Sequence, residues 1–386
     1  RSAARSPGCP SPTTACDPYP MTPYSFDPDR YDSLLAEKVA SVRDLFAALD
    51  APEPAVFASP SAAFRMRAEF RMWHDGDALD YVMYRRGEPG KPIRISSVPL
   101  ACEPIQSLLA PLRDRLRATP ELRRKLFQLE FLSTLAGDTL VSLIYHRPLE
   151  QAWEDAASQL ATEFGIAIVG RSRKQKVVIG RDYVTETLRI NGRDFRYRQY
   201  EQAFTQPNAL VNTRMIEWAI DAAGANNGDL LELYCGNGNF TLPLAAHFGQ
   251  VVATELAKVS VRAARENLSM NAVEHVQIIR LAAEEVTQAM NGARAFRRLA
   301  ELPCPREESD LRTVFVDPPR AGLDEQTVRM VQGFDAIIYI SCNPHTLADN
   351  LRVLCATHDV ESFAMFDQFP YTDHMECGVL LTRKTG

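Results

Sequence analysis

The 386-residue sequence has no run of the roughly 18 apolar residues that a membrane-crossing helix requires, which excludes a helical membrane protein. It has no Cys-x-x-Cys pair. The eight cysteines, at 9, 16, 102, 235, 304, 342, 355 and 377, are scattered, so neither a zinc ribbon nor a disulfide framework is indicated. No metal is expected, and a reducing cytoplasm is the expected setting. Residues 1–20 hold proline, serine, threonine and two of the cysteines but no apolar core like that of a signal peptide. They read as a disordered extension ahead of Met21. Internal repeats and low-complexity tracts are absent. Positive charge is also in deficit, since 43 Lys and Arg against 49 Asp and Glu leave a net charge of −6.

That average hides an asymmetry. Residues 61–200 carry 23 Lys and Arg against 17 Asp and Glu, and the remainder 20 against 32. The basic clusters contain Arg65, Arg67 and Arg71, then run from Arg113 to Lys125, Arg171 to Lys176 and Arg189 to Arg198. Phe64, Phe70, Trp73, Phe127, Tyr183, Phe195 and Tyr197 are interleaved. Guanidinium groups take phosphates and ring faces take unstacked bases, so this pairing suits single-stranded RNA. A solvated basic face with the aromatics in the core fits each cluster taken singly as well or better.

The length suits two domains. Apolar spacing predicts a helix between Asp27 and Leu49. Strands at 63–73, 79–85, 92–98, 126–134 and 138–145 follow, with helices at 103–118 and 150–164, then a strand at 177–179 and an Asn191-Gly192 hairpin near 186–198. The expectation is an α+β domain over 21–200, an antiparallel sheet with helices on one side. After Pro207 strands alternate with helices, which predicts a parallel doubly wound α/β sheet over 201–386. Residues 291–310, rich in Arg, Glu and Pro, read as a surface insertion. Ligands of such sheets sit beyond the carboxyl ends of the strands.

Those strand ends carry chemistry. Glu232-Leu-Tyr-Cys-Gly-Asn-Gly-Asn-Phe240 places two glycines in a strand-to-helix turn, where backbone can approach a ligand closely. Thr241 stands where a dinucleotide fingerprint has its third glycine, so a nucleoside without phosphates fits better. Glu255 falls about twenty residues on, where a carboxylate can accept ribose hydroxyls; a helix N-terminal charge explains its place nearly as well. Asp317-Pro-Pro-Arg320 presets an extended backbone. Cys342 follows an apolar strand and precedes Asn-Pro, so its thiol is expected at the cleft mouth, although most cysteines are inert small hydrophobes. Glu376, read alone, is a surface charge.

Together, Leu-Tyr-Cys-Gly-Asn-Gly-Asn-Phe, Phe-Val-Asp-Pro-Pro-Arg, Ile-Ser-Cys-Asn-Pro and Asp-Gln-Phe-Pro-Tyr-Thr-x-His-Met-Glu-Cys resemble the RNA uracil-5-methyltransferases. The likeness is nearest to the branch acting on the T-loop uridine of tRNA, and runs from Met21 to the C-terminus. It lacks the N-terminal cysteine cluster and the added oligonucleotide-binding domain common in ribosomal RNA relatives. The resemblance implies a C-terminal class I S-adenosylmethionine-dependent methyltransferase domain, Rossmann-like, with an N-terminal α+β RNA-binding domain. It implies Cys342 as nucleophile at uracil carbon 6 and Glu376 as the general base that removes the carbon 5 proton. Gln206, Tyr234, Asn239, Glu255 and Asp317 are implied as contacts to the cofactor S-adenosyl-L-methionine. Arg65, Arg67, Phe127 and His146, with Arg320 at the cleft, are the candidate RNA contacts. The expected partner is the tRNA T-arm, with tmRNA a further candidate, and a monomer is expected. Two rivals stand beside this reading. Amino-group methyltransferases share Asp-Pro-Pro but follow it with an aromatic where this chain has Arg320, and they need no cysteine. The other is a non-catalytic tRNA-binding or tRNA-folding protein; another RNA uridine, as in ribosomal RNA, is also an open target.

Overall fold

The structure, a computed structural model, describes residues 26–84, 90–225, 228–290 and 310–385. The expected extension at 1–20 and all but the last residue of the expected insertion at 291–310 lie outside the described residues. In chain order the elements of the first half are α1 (Tyr31–Phe46), β1 (Ala55–Phe57), β2 (Arg67–Asp75), β3 (Ala78–Tyr84), β4 (Pro92–Ile95), α2 (Glu103–Ala118), α3 (Pro120–Arg123), β5 (Leu126–Ser133), β6 (Thr139–Tyr145), α4 (Gln151–Phe164), β7 (Ala167–Ser172), β8 (Gln175–Ile179), β9 (Tyr183–Ile190) and β10 (Arg193–Tyr200). The second half follows with α5 (Ala209–Ala223), β11 (Asp229–Leu233), α6 (Thr241–Leu244), β12 (Val251–Thr254), α7 (Lys258–Met270), β13 (Val276–Ile279), α8 (Ala283–Met290), β14 (Leu311–Val316), α9 (Glu325–Val331), β15 (Ala336–Ser341), α10 (Pro344–Leu354), β16 (His358–Phe366) and β17 (Glu376–Arg383).

Strands β4-β3-β2-β5-β6-β7-β8 form a seven-stranded sheet, antiparallel except where α4 carries the chain from β6 to a parallel β7. In β2 the alternation puts Ala68, Phe70 and Met72 inward and Glu69, Arg71 and Trp73 outward. The inward row shares one apolar core with α2 and α4, whose Ile105, Leu109, Leu112 and Trp153 are at most 3% exposed. Of the interleaved aromatics, Phe64, Phe70, Phe195 and Tyr197 are core, while Trp73, Phe127 and Tyr183 reach the surface. The bland reading of the basic clusters holds for the first four.

The hairpin β9–β10 was expected to complete this sheet, and it forms a separate two-stranded sheet instead. Asn191 (φ 47°) and Gly192 (φ 79°) give it a tight two-residue turn of the kind that matches strand twist. The edge backbone of β10 is taken by α7: Arg196 and Arg198 donate their N–H to Asn271 Oδ1 (2.9 Å) and Asn267 Oδ1 (2.7 Å). Side-chain amides thus satisfy an edge that has no strand beside it.

The larger sheet has the order β1-β16-β17-β15-β14-β11-β12-β13. It is parallel but for β17, which lies antiparallel between β15 and β16. The expected all-parallel sheet is corrected there, because the short 367–375 connection returns β17 beside β16 instead of crossing over. A linear boundary at residue 200 is also crossed: β1 pairs in parallel with β16, Ala55 opposite Ala364, and Phe46 of α1 stacks on Phe363 at 4.8 Å. The apolar periodicity between Asp27 and Leu49 predicted the helix, observed over Tyr31–Phe46, but could not show which sheet it covers.

At Gly378 in β17, a Cβ would lie 2.6 Å from the Trp218 ring of α5. Gly378→Ala is therefore expected to lose about 1–3 kcal/mol in chemical denaturation by overpacking. At Gly90, where nothing lies within 4 Å of such a Cβ, the same change should stay within about 0.5 kcal/mol.

Candidate active site

Register alone brings the predicted residues together. Leu233 pairs with Thr254 on one side and Val316 on the other, so Tyr234, Glu255 and Asp317 are the next residues on three adjoining parallel strands. Val316 pairs with Tyr339, which adds the end of β15 to the same edge. Ser341 pairs antiparallel with Cys377, and the residues one step beyond that pair are Cys342 and Glu376. A thiol from one strand end and a carboxyl from a strand start are thus neighbours by pairing.

The turn after β11 is tight. Tyr234 holds a left-handed φ of 61°, followed by Gly236 at 56° and Gly238 at 84°; a non-glycine residue there is uncommon and marks a constrained functional turn. Space is open above Gly236, with nothing within 4 Å of a built Cβ. Gly236 N–H donates to Glu255 Oε2 (3.2 Å), and Ala257 N–H donates to Oε1 (2.6 Å). Glu255 therefore braces both the glycine turn and the start of α7. Asn239 exchanges amide hydrogen bonds with Asn212 of α5 at 2.8 and 2.9 Å, and its carbonyl accepts from Tyr197 Oη at 3.1 Å. Gln206 has a buried Oε1 with no hydrogen-bond partner in the protein.

The strand end at Cys342 is equally ordered. Asn343 caps α10, its Oδ1 accepting from His345 N–H at 3.1 Å, with Pro344 at the first helical position. Cys342 is partly exposed and stands just ahead of this helix N-terminus, where the dipole favours negative charge. Asn343 Nδ2 also donates to the Arg320 carbonyl (3.1 Å), which ties the Asp-Pro-Pro-Arg loop to α10. The Arg320 guanidinium reaches the His374 ring at 3.1 Å. Three loops are thereby knitted around one cleft.

Three carboxyls in it are poorly solvated. Burial pushes Asp317 up to about 7. Burial, reinforced by the charge of Asp317, lifts Glu376 well above the carboxylate range, and the residue is 3% exposed. Read alone as a surface charge, Glu376 is in fact inside, with Oε2 lacking a partner. Glu232, 1% exposed, is the residue that sequence reasoning missed. Burial pushes it up to about 8, and its Oε2 also has no partner. Its acidic place four residues before the first glycine was the available signal. This combination of desolvated acids and orphaned oxygens in a cleft is what a cationic, polar ligand would satisfy.

The RNA candidates separate into two groups. Phe127 stacks on His146 with centroids 4.0 Å apart, and the Arg71 guanidinium lies 4.0 Å over Phe127. These form a continuous Arg-aromatic stack at the surface beside Trp73, which is 39% exposed. Arg67, by contrast, donates to the carbonyls of Glu201 (3.0 Å) and Ala203 (3.2 Å), and Arg65 Nε donates to the Arg67 carbonyl (3.1 Å). The guanidinium of Arg67 is turned inward, so its expected phosphate contact is replaced by a tie to the segment that leads to Gln206. Among the described residues no cluster of three or more His, Cys, Asp or Glu is poised to hold a metal.

The chain is similar to known proteins along nearly its whole length. A family model described as tRNA (Uracil-5-)-methyltransferase matches residues 30–384. A "tRNA/tmRNA (uracil-C(5))-methyltransferase" of Pseudomonas entomophila is 54% identical over 359 residues, covering 93% of this chain and 99% of that protein. Identically named proteins of Pectobacterium atrosepticum and Aromatoleum aromaticum are 51% and 50% identical, each across 94% of this chain. Among solved structures, the Pyrococcus abyssi tRNA (uracil-54, C5)-methyltransferase in complex with S-adenosyl-L-homocysteine shares the fold. Its TM-score is 0.68 at 19% identity, over 91% of this chain and 83% of that one. With half of all positions shared across nearly the full length of such relatives, the chain belongs to the tRNA (uracil-5-)-methyltransferase family.

Proposed function

We propose that this protein methylates carbon 5 of the T-loop uridine of tRNA, with S-adenosyl-L-methionine as methyl donor and tmRNA as a further substrate, acting as a cytoplasmic monomer. The observation that carries the reading is the Ser341–Cys377 pairing, which sets Cys342 beside Glu376 at the strand edge. The residues fit the donor: open space over Gly236, the Glu255 carboxylate for ribose hydroxyls, and the orphaned Gln206 Oε1 as an acceptor. When bound, the donor supplies an electrophilic methyl group on a positively charged sulfur.

Carbon 5 of uracil is a weak nucleophile. Addition of the Cys342 thiolate to carbon 6 converts the ring to an enolate whose carbon 5 can accept the methyl group. In this reading Arg320 meets the enolate oxygen and Asp317 orients the ring. Glu376 then takes the carbon 5 proton. That C–H electron pair becomes the carbon 5–carbon 6 double bond, and the carbon 6–sulfur bond breaks to return the thiolate. While positive ligand charge is present in the cleft, Glu376 is favoured as the carboxylate against the desolvation that raises it, and once methyl transfer has removed that charge the desolvated carboxylate is the stronger base for the proton. The target base must leave its loop to reach the cleft, and the exposed His146 end of the Arg71–Phe127–His146 stack offers a ring face for a base so exposed.

With a T-arm RNA carrying 5-fluorouridine at the target and S-adenosylmethionine present, fluorine cannot leave as a proton, so a denaturation-resistant adduct mapping to Cys342 is expected. Cys342→Ala should abolish it, and Glu376→Gln should accumulate an adduct on ordinary uridine as well. Absence of any adduct beside normal methyl transfer would overturn the covalent route.

Donor affinity should depend on pH. Asp317 is neutral below and charged above about 7, so a cationic ligand binds the ionised form better and its dissociation constant should fall as pH rises through that value. Calorimetry should show proton release on binding on the acid side of it, and Asp317→Asn should flatten the profile.

For the RNA face, His146→Ala, which removes the exposed ring at the end of the stack, should weaken tRNA binding by about 5- to 150-fold, the worth of one stacked base, with the salt slope unchanged. Arg71→Gln should lower that slope by about one.

A further inference from the structure

The loop between β16 and β17 delivers Glu376, yet the side chain that holds it comes from α1, more than three hundred residues earlier. Lys38 Nζ donates to Asp367 Oδ1, to the Phe369 carbonyl at 3.2 Å and to the His374 carbonyl at 2.8 Å. All three protons of one ammonium are thereby spent on a single turn. The Lys38 and Asp367 side chains are 10% and 1% exposed. Burying such a pair carries a desolvation cost that apolar packing would avoid, so the arrangement calls for a use beyond holding α1 in place.

The same turn is braced on every side. Tyr371 Oη donates to the Ser61 carbonyl (2.6 Å), Asp367 N–H donates to the Phe57 carbonyl of β1 (3.0 Å), and Gln368 Oε1 accepts from Asn208 N–H (3.1 Å). Tyr371 itself sits at φ 64°, a strained left-handed position. His374, whose carbonyl Lys38 fixes, is two residues before Glu376 and carries the ring that Arg320 touches.

We propose that Lys38 is a positioning residue for proton abstraction: by fixing the 367–374 turn it aims the Glu376 carboxylate at the carbon 5 proton and holds His374 against Arg320. This rests on the reading of Glu376 as general base. Loss of the ammonium leaves thiolate addition and methyl transfer in place and slows elimination, so that the methylated Cys342–uracil adduct builds up.

The test is steady-state turnover on tRNA with labelled donor, with the adduct fraction read on a denaturing gel for Lys38→Met, Asp367→Asn and Glu376→Gln. Adduct formation on 5-fluorouridine RNA counts the folded sites in each preparation. For Lys38→Met, kcat per folded site should fall roughly 10- to 100-fold, with KM for tRNA and donor within about twofold and with labelled adduct accumulating on ordinary uridine. Asp367→Asn should give a smaller change of the same kind, and decides the matter if Lys38→Met yields no folded sites. An unchanged kcat, or a fall without adduct while Glu376→Gln accumulates it, overturns the assignment for Lys38. If Glu376→Gln accumulates no adduct, the general-base reading fails first and the proposal with it.

Discussion

The antiparallel insertion of β17 between β15 and β16 is the constraint on which the rest of the site depends. In an all-parallel sheet every strand presents its carboxyl end to the cleft, so only residues following strands can reach it. One reversed strand presents its amino end instead. Because Ser341 faces Cys377, the residue leaving one strand and the residue entering the next become neighbours, and a cysteine and a glutamate far apart in the chain share a mouth without any loop having to reach. The flanking strands then fix Tyr234, Glu255 and Asp317 by the same logic of register.

Around this frame the molecule tolerates unusual burial of charge. Asp317, Glu232 and Glu376 gather where water is scarce, and each is pushed toward its neutral form. Such a cleft is costly without a ligand and is stabilised by one carrying positive charge. The two buried acids of the other half are satisfied within the protein: Glu201 is held by the Arg171 fork and by Ser142 Oγ, and Glu186, pushed up to about 7 by burial, accepts from the N–H groups of Leu135 (3.1 Å) and Thr187 (3.0 Å). The partners in the structure distinguish these acids from those of the cleft where composition does not.

Much of the site was legible in the sequence because its residues lie at strand ends, and strand ends follow from hydrophobic rhythm. The alternation of strands and helices expected after Pro207 runs through β11 to β15, and motif likeness supplied the roles proposed for Cys342 and Glu376. What was hidden depends on contacts between distant segments. The inward turn of Arg67, the Asn212–Asn239 amide pair and the pairing of β1 with β16 leave no periodic trace. Short β7, whose Gly170 fits under Trp153, was missed because a glycine in an apolar strand weakens the alternating signal. The separate standing of the β9–β10 hairpin was hidden too, since local turn chemistry shows that two strands pair and not what they pack against.

The pairing of Ala55–Phe57 with Ala364–Phe366 also sets an order of events during synthesis. An early segment has no partner in its sheet until the ribosome has delivered residues some three hundred positions later. Until then its apolar face, with Phe46 and Phe57, must wait exposed or be shielded by a helper, since such long-range closure is slow. The seven-stranded sheet, whose strands lie between those segments, can form first. In this way the seven-stranded half is complete before the larger sheet, and closure of the cleft is the last step of folding.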